Sequence, residues 1–212
     1  MLSCLSFSSR SCFLQQDHLF SPTISEMYGK NHCTFVDPVG FDNISEGKAR
    51  PGHFRGVATV VTKLFNIVQP TNAYFGQKDA AQCVLIRRIV EDLNMNLTIN
   101  IMETVREDDG LAMSSRNAYL TVEERKAAPI LYQSLCAAKD VYESRKRNIS
   151  SSEIVQVVQQ MLRSEPLVAD IQYVSVDSTA NMEHLDRVEE NGAVVSLACK
   201  VGNVRLIDNI IL

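Results

Sequence analysis

Three short segments of the sequence combine cationic side chains with small residues in patterns that suit anion binding. The first, residues 50–56, contains two arginines, His53 and two glycines ahead of a predicted helix. Backbone N–H groups at a helix start, together with guanidinium groups, favour a carboxylate or a phosphate. A polar loop with glycines at the entrance to a helix would have the same sequence pattern, because one glycine-rich stretch matches many turns.

The second segment, residues 76–79, reads Gly-Gln-Lys-Asp and lies between a predicted strand and a predicted helix. Ligands bind beyond the carboxyl ends of parallel strands, and a lysine at that edge supplies a mobile point charge for phosphate. Ordinary helix capping, with Asp79 near the positive end of the helix dipole, explains these residues equally well when they are taken alone.

The third segment, residues 111–117, reads Leu-Ala-Met-Ser-Ser-Arg-Asn. Its two hydroxyls and its guanidinium group could close on a triphosphate as negative charge develops during displacement of pyrophosphate. Considered alone, a structural loop whose serine side chains bond to the backbone is the more common interpretation of such a string.

The hydrophobic pattern predicts the elements that carry the first two segments. Apolar residues recur every three or four positions over residues 56–68, which indicates a helix that ends before Pro70. A buried strand is predicted over residues 72–75, and alternation at residues 97–101 predicts another. The helix between them has an apolar side formed by Cys83, Ile86, Val90 and Leu93. Strand, helix and strand predict a right-handed crossover and a parallel sheet.

The C-terminal half has the pattern of a small α+β unit. Two capping-box signatures, Thr121 with Glu124 and Ser150 with Glu153, precede predicted helices. Pro129 falls in the early turns of the first helix and predicts a bend there. Strands are predicted over residues 171–176, 193–199 and 204–212.

Length and composition exclude several classes of protein. The 212 residues are 45% hydrophobic and 22% charged, which is globular and predicts one large or two small domains. The net charge of −4 gives no general field for nucleic acid, and the basic run at residues 145–147 fits a helix end better. No apolar run is long enough to span a bilayer, so we expect no membrane partner. The six cysteines include no C-x-x-C pair, and we expect reduced thiols and no structural metal.

Taken in order, the three segments resemble the pantoate–β-alanine ligase family, the pantothenate synthetases. The resemblance rests on residues 50–56, on residues 76–79 with Gln82, and on residues 109–117. It extends from about Leu19 to residues 204–209. It implies an α/β fold with a partial Rossmann-like parallel sheet of the nucleotidylyltransferase superfamily and a smaller C-terminal α+β domain. The implied domains are an unrelated or disordered terminus at residues 1–18, a nucleotide domain at residues 19–107, and a C-terminal domain at residues 108–212.

The resemblance also implies an activity. Members of the family use ATP and Mg²⁺ to convert pantoate to a pantoyl-adenylate, and β-alanine then displaces AMP to give pantothenate. Family members are typically dimers, so the resemblance implies a homodimer. Charge and hydropathy predict no nucleic-acid or membrane partner, and the expected location is the cytoplasm, with mitochondria as the alternative.

Site roles follow from the same resemblance, residue by residue. The implied catalytic residues are Lys78, Ser114, Ser115 and Arg116. The implied ATP contacts are Gly76, Gln77, Lys78, Asp79, Val105 beside the adenine, Met113, Ser114, Ser115 and Arg116. Gln82 would bind pantoate, and Arg50 and His53 would support the loop and the substrate. No metal-ligating residue is assigned.

The sequence departs from the family in one motif. Typical members carry a Met-Gly-x-Leu-His-x-Gly-His segment whose histidines bind ATP, and the 212 residues contain none. The sequence therefore predicts a truncated chain with reduced activity and a less stable nucleotide half. The alternatives are a non-catalytic module that pairs with a full-length subunit, and another nucleotidyl-transferring ligase. The latter is disfavoured because Gln82 and residues 50–56 match the pantoate enzymes together.

Overall fold

The structure is a computed structural model that describes residues 17–145 and 148–212. The chain divides into two compact units between Thr34 and Phe35. In the first unit the described residues form one short helix, α1 (Ile24–Met27), which a capping box between Thr23 and Glu26 opens. Residues 1–16 of the terminus predicted at residues 1–18 lie outside the described residues, and a division near residue 108 stays a prediction.

The first half of the larger unit contains a two-stranded parallel sheet and its helices. In chain order the elements are α2 (Ser45–Ala49), α3 (His53–Val68), β1 (Asn72–Gly76), a 3-10 turn (Gln77–Asp79), α4 (Ala80–Asp92) and β2 (Thr98–Met102). The strands β1 and β2 pair in parallel, with Asn72 opposite Thr98. The predicted strand, helix and strand order and the parallel pairing are confirmed.

The helices α3 and α4 pack together through the apolar positions that the three-to-four spacing indicates. One cluster joins Phe54 and Ala58 to Leu85 and Ile89. A second cluster contains Val61, Phe65 and Ile86, against which Ala73, Phe75 and Ile99 of the sheet are packed. The helices therefore cover one face of the sheet and fix where β1 ends.

Two predictions in this half were wrong in detail. The strand β1 is not fully buried, since Tyr74 is 65% exposed. The reason is that the helices contact the face with Ala73 and Phe75, whereas Tyr74 and Met102 on the other face are largely exposed. Leu93 is 48% exposed because α4 ends at Asp92 and Leu93 already leaves the helix.

The second half of the larger unit places three helices against an antiparallel sheet. The helices are α5 (Val122–Ala127), α6 (Ile130–Ser144) and α7 (Ser151–Ser164). The sheet has the order β4 (Val168–Asp177), β6 (Val194–Val201) and β7 (Val204–Ile211), and a short pair is formed by β3 (Ile149–Ser150) and β5 (Arg187–Val188). The three predicted long strands are confirmed.

The starts of these helices follow the local sequence in part. The Thr121 hydroxyl accepts the Glu124 N–H at 3.2 Å, and the Glu124 carboxylate accepts the Thr121 N–H at 2.8 Å, so this capping box is confirmed. Pro129 separates α5 from α6 instead of bending one helix. At Ser150 the hydroxyl accepts the Glu153 N–H, but the Glu153 carboxylate accepts the Ser150 hydroxyl and not its N–H. The second capping box is therefore only half formed.

The two faces of the three-stranded sheet differ in polarity. One face packs its apolar residues on α6 and α7, with Leu197 and Leu206 in that core. On the other face Ser175, Ser196 and Asn209 lie opposite one another across the three strands. Because successive residues of a strand point to opposite faces, Asp208 and Asn209 leave β7 on different sides. No helix among the described residues has the length and apolar character that crossing a membrane requires.

Candidate functional site

A cleft lies between the start of α4 and the polar face of the sheet, and a smaller hollow adjoins it. Lys78 and Asp208 line both spaces. The predicted residues that line the larger cleft are His53, Lys78, Asp79 and Gln82. Those that line the smaller hollow are Lys78, Ser114 and Arg116. The structure thus brings the lysine turn and the serine–arginine loop to one shared space.

The remaining predicted residues stand around these spaces without lining them. Val105 and Met113 are exposed, at 66% and 53%. Gly76 and Ser115 are also exposed, and Gln77 is half-buried. Arg50 touches His53 rather than the cleft, with its Nη1 atom 3.1 Å from the His53 Nε2 atom. Their assigned roles stay predictions.

Lys78 sits in the 3-10 turn directly beyond the carboxyl end of β1. Burial lowers the pKa of the Lys78 ammonium, and the Arg116 charge acts in the same direction against the opposing attraction of Asp79 and Asp208. The two cations therefore repel each other across the hollow. An anion placed between them would remove that repulsion, which is the electrostatic property expected of a phosphate site.

The backbone of this turn is fastened to β7. The Asn209 amide donates to the Gln77 carbonyl at 3.0 Å and to the Lys78 carbonyl at 2.8 Å. The Gln77 amide donates in turn to the Asn209 Oδ1 atom at 3.3 Å. The side chain of Gln77, which the sequence predicts to contact ATP, therefore forms a hydrogen bond with Asn209 within the protein.

A tight turn carries the serine–arginine loop. Met113 N–H donates to the Val105 carbonyl at 2.9 Å, and Arg106 forms a β-bridge with Ala112. Arg106 donates to both carboxylate oxygens of Asp208, at 2.6 and 3.0 Å, and to the Gly110 carbonyl at 3.0 Å. Its guanidinium carbon lies 3.7 Å above the Tyr132 ring. The buried Asp208 of β7 thus fixes, through Arg106, the position at which this loop begins.

Within the loop, the hydroxyl of Ser114 accepts the Arg116 N–H at 3.3 Å, so the backbone-bonding interpretation of the string is confirmed at this position. Asn117 donates to the Ala112 carbonyl at 3.1 Å. Its buried Oδ1 atom has no hydrogen-bond partner among the described residues, and Asn117 lines the smaller hollow. The wall of the hollow therefore includes Asn117 beside the cations of Lys78 and Arg116.

A charged cluster that sequence reasoning missed lies at the other end of the cleft. The Glu46 carboxylate accepts Arg205 at 2.7 Å, the Tyr173 hydroxyl at 2.9 Å and Arg50 at 3.4 Å. Burial and the Arg50 charge both lower the pKa of His53. This favours a neutral ring that can accept a hydrogen bond from Arg50.

Glu46 gives this cluster a pH dependence that can be measured. Burial raises the pKa of Glu46, but Arg205, Tyr173 and Arg50 outweigh it, so the pKa lies below its ordinary value of 4.5. Around pH 4.5 the folded state then binds fewer protons than the unfolded state, so this stabilisation is lost as the pH falls through the lowered pKa.

We expect Glu46→Gln to lower the free energy of unfolding by about 2 kcal/mol at pH 7, because charged hydrogen bonds are lost. The deficit should shrink as the pH falls below 4.5, where the wild-type carboxylate becomes protonated. Urea unfolding at a series of pH values measures both effects. The exposed Glu143→Gln is the control, and a deficit that stays constant from pH 7 to pH 3 would contradict the prediction.

Comparisons with known proteins agree with the geometry. The family model described as pantoate-beta-alanine ligase matches residues 9–211, beginning before Leu19. Pantothenate synthetase from Chloroflexus aggregans is 52% identical over 194 residues, which cover 91% of this chain and 69% of that protein. The crystal structure of pantothenate synthetase from Thermus thermophilus matches with a TM-score of 0.84 at 40% identity, over 92% of this chain and 69% of that one.

A second solved relative was determined with ligands. The pantoate-beta-alanine ligase from Francisella tularensis, complexed with Beta-gamma ATP and Beta-alanine, matches with a TM-score of 0.65 at 32% identity. The match covers 88% of this chain and 61% of that one. The expected fold, a parallel α/β sheet followed by a smaller antiparallel domain, is confirmed by these structures.

Proposed function

Because the chain belongs to the pantoate-beta-alanine ligase family, a family of ATP-dependent ligases, we propose that Lys78 and Arg116 bind the phosphates of ATP during pantothenate synthesis. The observation that carries this proposal is their shared hollow at the carboxyl end of β1. The Francisella ligase with its bound nucleotide and β-alanine supports the same substrates for this chain.

In the first step a carboxylate oxygen of pantoate forms a bond to the α-phosphorus of ATP, and the bond from that phosphorus to the β-phosphate oxygen breaks. Negative charge moves onto the departing pyrophosphate, so fixed cations stabilise the transition state more than the ground state. Lys78 and Arg116 supply those cations, with Ser114 and Ser115 as nearby hydroxyls. Gln82 lines the larger cleft, which supports the proposal that it binds pantoate.

In the second step the β-alanine nitrogen bonds to the acyl carbon, the carbon–oxygen bond to AMP breaks, and the nitrogen loses a proton. The adenylate must be kept from water between the two steps, and an enclosed cleft achieves this. The same proposal includes the remaining predicted roles. Val105 lies beside the adenine, Arg50 and His53 support the loop and the substrate, and further contacts with ATP come from Gly76, Gln77, Asp79 and Met113.

Formation of pantothenate and AMP tests the proposal. We expect both products in equal amounts when ATP, Mg²⁺, pantoate and β-alanine are all supplied, and neither when pantoate is left out. AMP release that does not depend on pantoate would contradict it. Similarity to ligases over 91% of the chain favours an enzyme over a non-catalytic module.

We also propose that a polypeptide of these 212 residues turns over slowly, since it contains no His-x-Gly-His segment. Loss of one donor from an electrostatic site costs about 10²–10³ in rate. The turnover number should therefore be at least about two orders of magnitude below that of the Chloroflexus aggregans enzyme in the same assay. Equal turnover numbers would contradict this proposal.

Three further parts of the proposal concern metal, assembly and location. Among the described residues no group of three His, Cys, Asp or Glu side chains is placed to hold a metal ion. Mg²⁺ is commonly held by substrate phosphates and one or two carboxylates, so we propose that it enters as the ATP complex beside Asp79. A homodimer, to be tested by sedimentation, and a cytoplasmic location are further proposals.

A further inference from the structure

Two neighbouring residues of β7 hold both segments that face the hollow. Asn209 bonds to the Lys78 turn, and Asp208 bonds to Arg106 at the base of the serine–arginine loop. Because the two side chains leave the strand on opposite sides, one dipeptide reaches two segments that lie far apart in sequence. The spacing between the two segments is thus set by β7.

The side-chain hydrogen bonds of Asn209 all go to residues of the Lys78 turn. Asn209 is 4% exposed, and its amide donates to the carbonyls of Gln77 and Lys78. Its Oδ1 atom accepts the Gln77 side chain. Buried carbonyls need partners, so loss of the Asn209 amide would leave both carbonyls of the turn unsatisfied. The turn would then be held less firmly against β7.

The Lys78 ammonium lies among several charges. Burial lowers its pKa and the Arg116 charge acts in the same direction, whereas Asp79 and Asp208 attract the ammonium, so Arg116 repels a cation that other groups also pull on. A binding site for a multiply charged phosphate chain nevertheless needs its cations held within about 0.5 Å of the productive position. Hydrogen bonds to the backbone beside the lysine resist the repulsion without using the ammonium itself.

We propose that Asn209 is a positioning residue, which holds the backbone of the Lys78 turn at the distance from Arg116 that the phosphates of ATP require. The proposal rests on the proposed function for the identity of the ligand. In this proposal the C-terminal sheet contributes to nucleotide binding through Asn209, and Asn209 itself need not contact the nucleotide.

Two substitutions remove the amide donors in different ways. Asn209→Leu keeps the approximate shape of the side chain without charge, and Asn209→Asp keeps the shape but adds a charge. Asn203→Leu and Asn203→Asp are matched controls, since Asn203 is exposed in the turn between β6 and β7. Agreement between the two Asn209 variants separates the loss of donors from any effect of charge.

Hydrogen exchange of the full chain reports on the turn without any nucleotide. In both Asn209 variants we expect amides of residues 74–82 to exchange about tenfold faster or more, the size expected from two lost hydrogen bonds. Exchange in α7 and β4 should stay unchanged, as it should throughout the Asn203 controls. Unchanged exchange of residues 74–82 would overturn the proposal even if ATP binding were weakened.

Equilibrium binding of ATP with Mg²⁺ tests the functional part. The dissociation constant should rise about tenfold in both Asn209 variants, the size expected when the turn loses the two hydrogen bonds that hold it in the binding position. Lys78→Met should then weaken binding by a smaller factor in the Asn209→Leu background than in the unsubstituted chain. A purely structural residue would give independent factors that multiply, and that outcome would overturn the proposal. Failure of the unsubstituted chain to bind ATP would instead contradict the proposed function, and the exchange measurement would still decide whether Asn209 holds the turn.

Discussion

Replacing Asp208 with asparagine is expected to lower the free energy of unfolding by about 3 to 5 kcal/mol, the range for a buried ion pair that loses one partner. Asp208 is 2% exposed, and both of its carboxylate oxygens accept hydrogen bonds from Arg106. One oxygen also accepts the Asn209 N–H at 2.8 Å. An asparagine presents an amide in place of one of these oxygens, so a donor would face the guanidinium.

The cost is large because Arg106 cannot leave its site easily. Its side chain is 17% exposed, it bonds to the Gly110 carbonyl, and it lies over the Tyr132 ring. Removal of the carboxylate therefore leaves a cation that is mostly shielded from water and still held in place. Such a charge is far more costly than an unpaired charge on the surface.

Urea unfolding at pH 7 measures the effect, with Glu91→Gln as a control at the exposed Arg88–Glu91 pair. The control should cost less than about 1 kcal/mol, as surface pairs do. A loss at Asp208 no larger than that of the control would show that the pair contributes nothing special to stability. The measured Asp208 loss would also indicate how firmly β7 holds the loop that contains Arg116.

Local features of the fold could be predicted because their causes lie within a few residues. The apolar repeat of α3, the stop at Pro70 and the capping box at Thr121 each depend on residues three or four positions apart. The meeting of Lys78 with the serine–arginine loop was predictable for a different reason, since the order of the motifs resembles a family in which both segments act on one ligand.

The fastening of the site to β7 was not predicted from sequence, and the reason is distance along the chain. Arg106 and Asp208 are separated by 102 positions, and Lys78 and Asn209 by 131. No spacing rule connects residues so far apart. One signal was present, however: Arg205, Asp208 and Asn209 interrupt a strand that is otherwise apolar. Polar groups in a strand that packs on both faces need partners, so their presence indicates a contact to be looked for.

Replacing Lys78 with methionine is expected to lower the rate of pantoate-dependent AMP release by about two to three orders of magnitude, the usual loss when one preorganised charge or donor is removed from such a site. Methionine keeps an unbranched side chain of similar length and can still pack in the half-buried position. The ammonium is the main difference between the two side chains, so the loss measures its charge rather than a cavity.

The kinetic constants separate two possible roles of this charge. If the ammonium acts mainly on the departing pyrophosphate, the turnover number falls and the KM for ATP changes little, because the charge develops only in the transition state. If it binds ground-state ATP equally well, KM rises and the turnover number is kept. Burial lowers the pKa of Lys78 and the Arg116 charge adds to that effect. The negative charge that the ammonium faces in the reaction grows as pyrophosphate departs. We therefore expect the larger part of the loss in the turnover number and a smaller rise in the KM for ATP, which corresponds to weaker equilibrium binding of ATP by the Lys78→Met variant.

Lys139→Met, on the exposed side of α6, is the matched control and should leave the rate within about twofold, as surface substitutions away from special features do. Lys78→Arg should recover little of the activity, because a planar guanidinium cannot replace a compact ammonium in a hollow that already contains Arg116. A Lys78→Met variant as active as the Lys139→Met control would contradict the assignment. The shared hollow would then be a structural cavity, since a charge that can be removed without effect does not stabilise the departing phosphates.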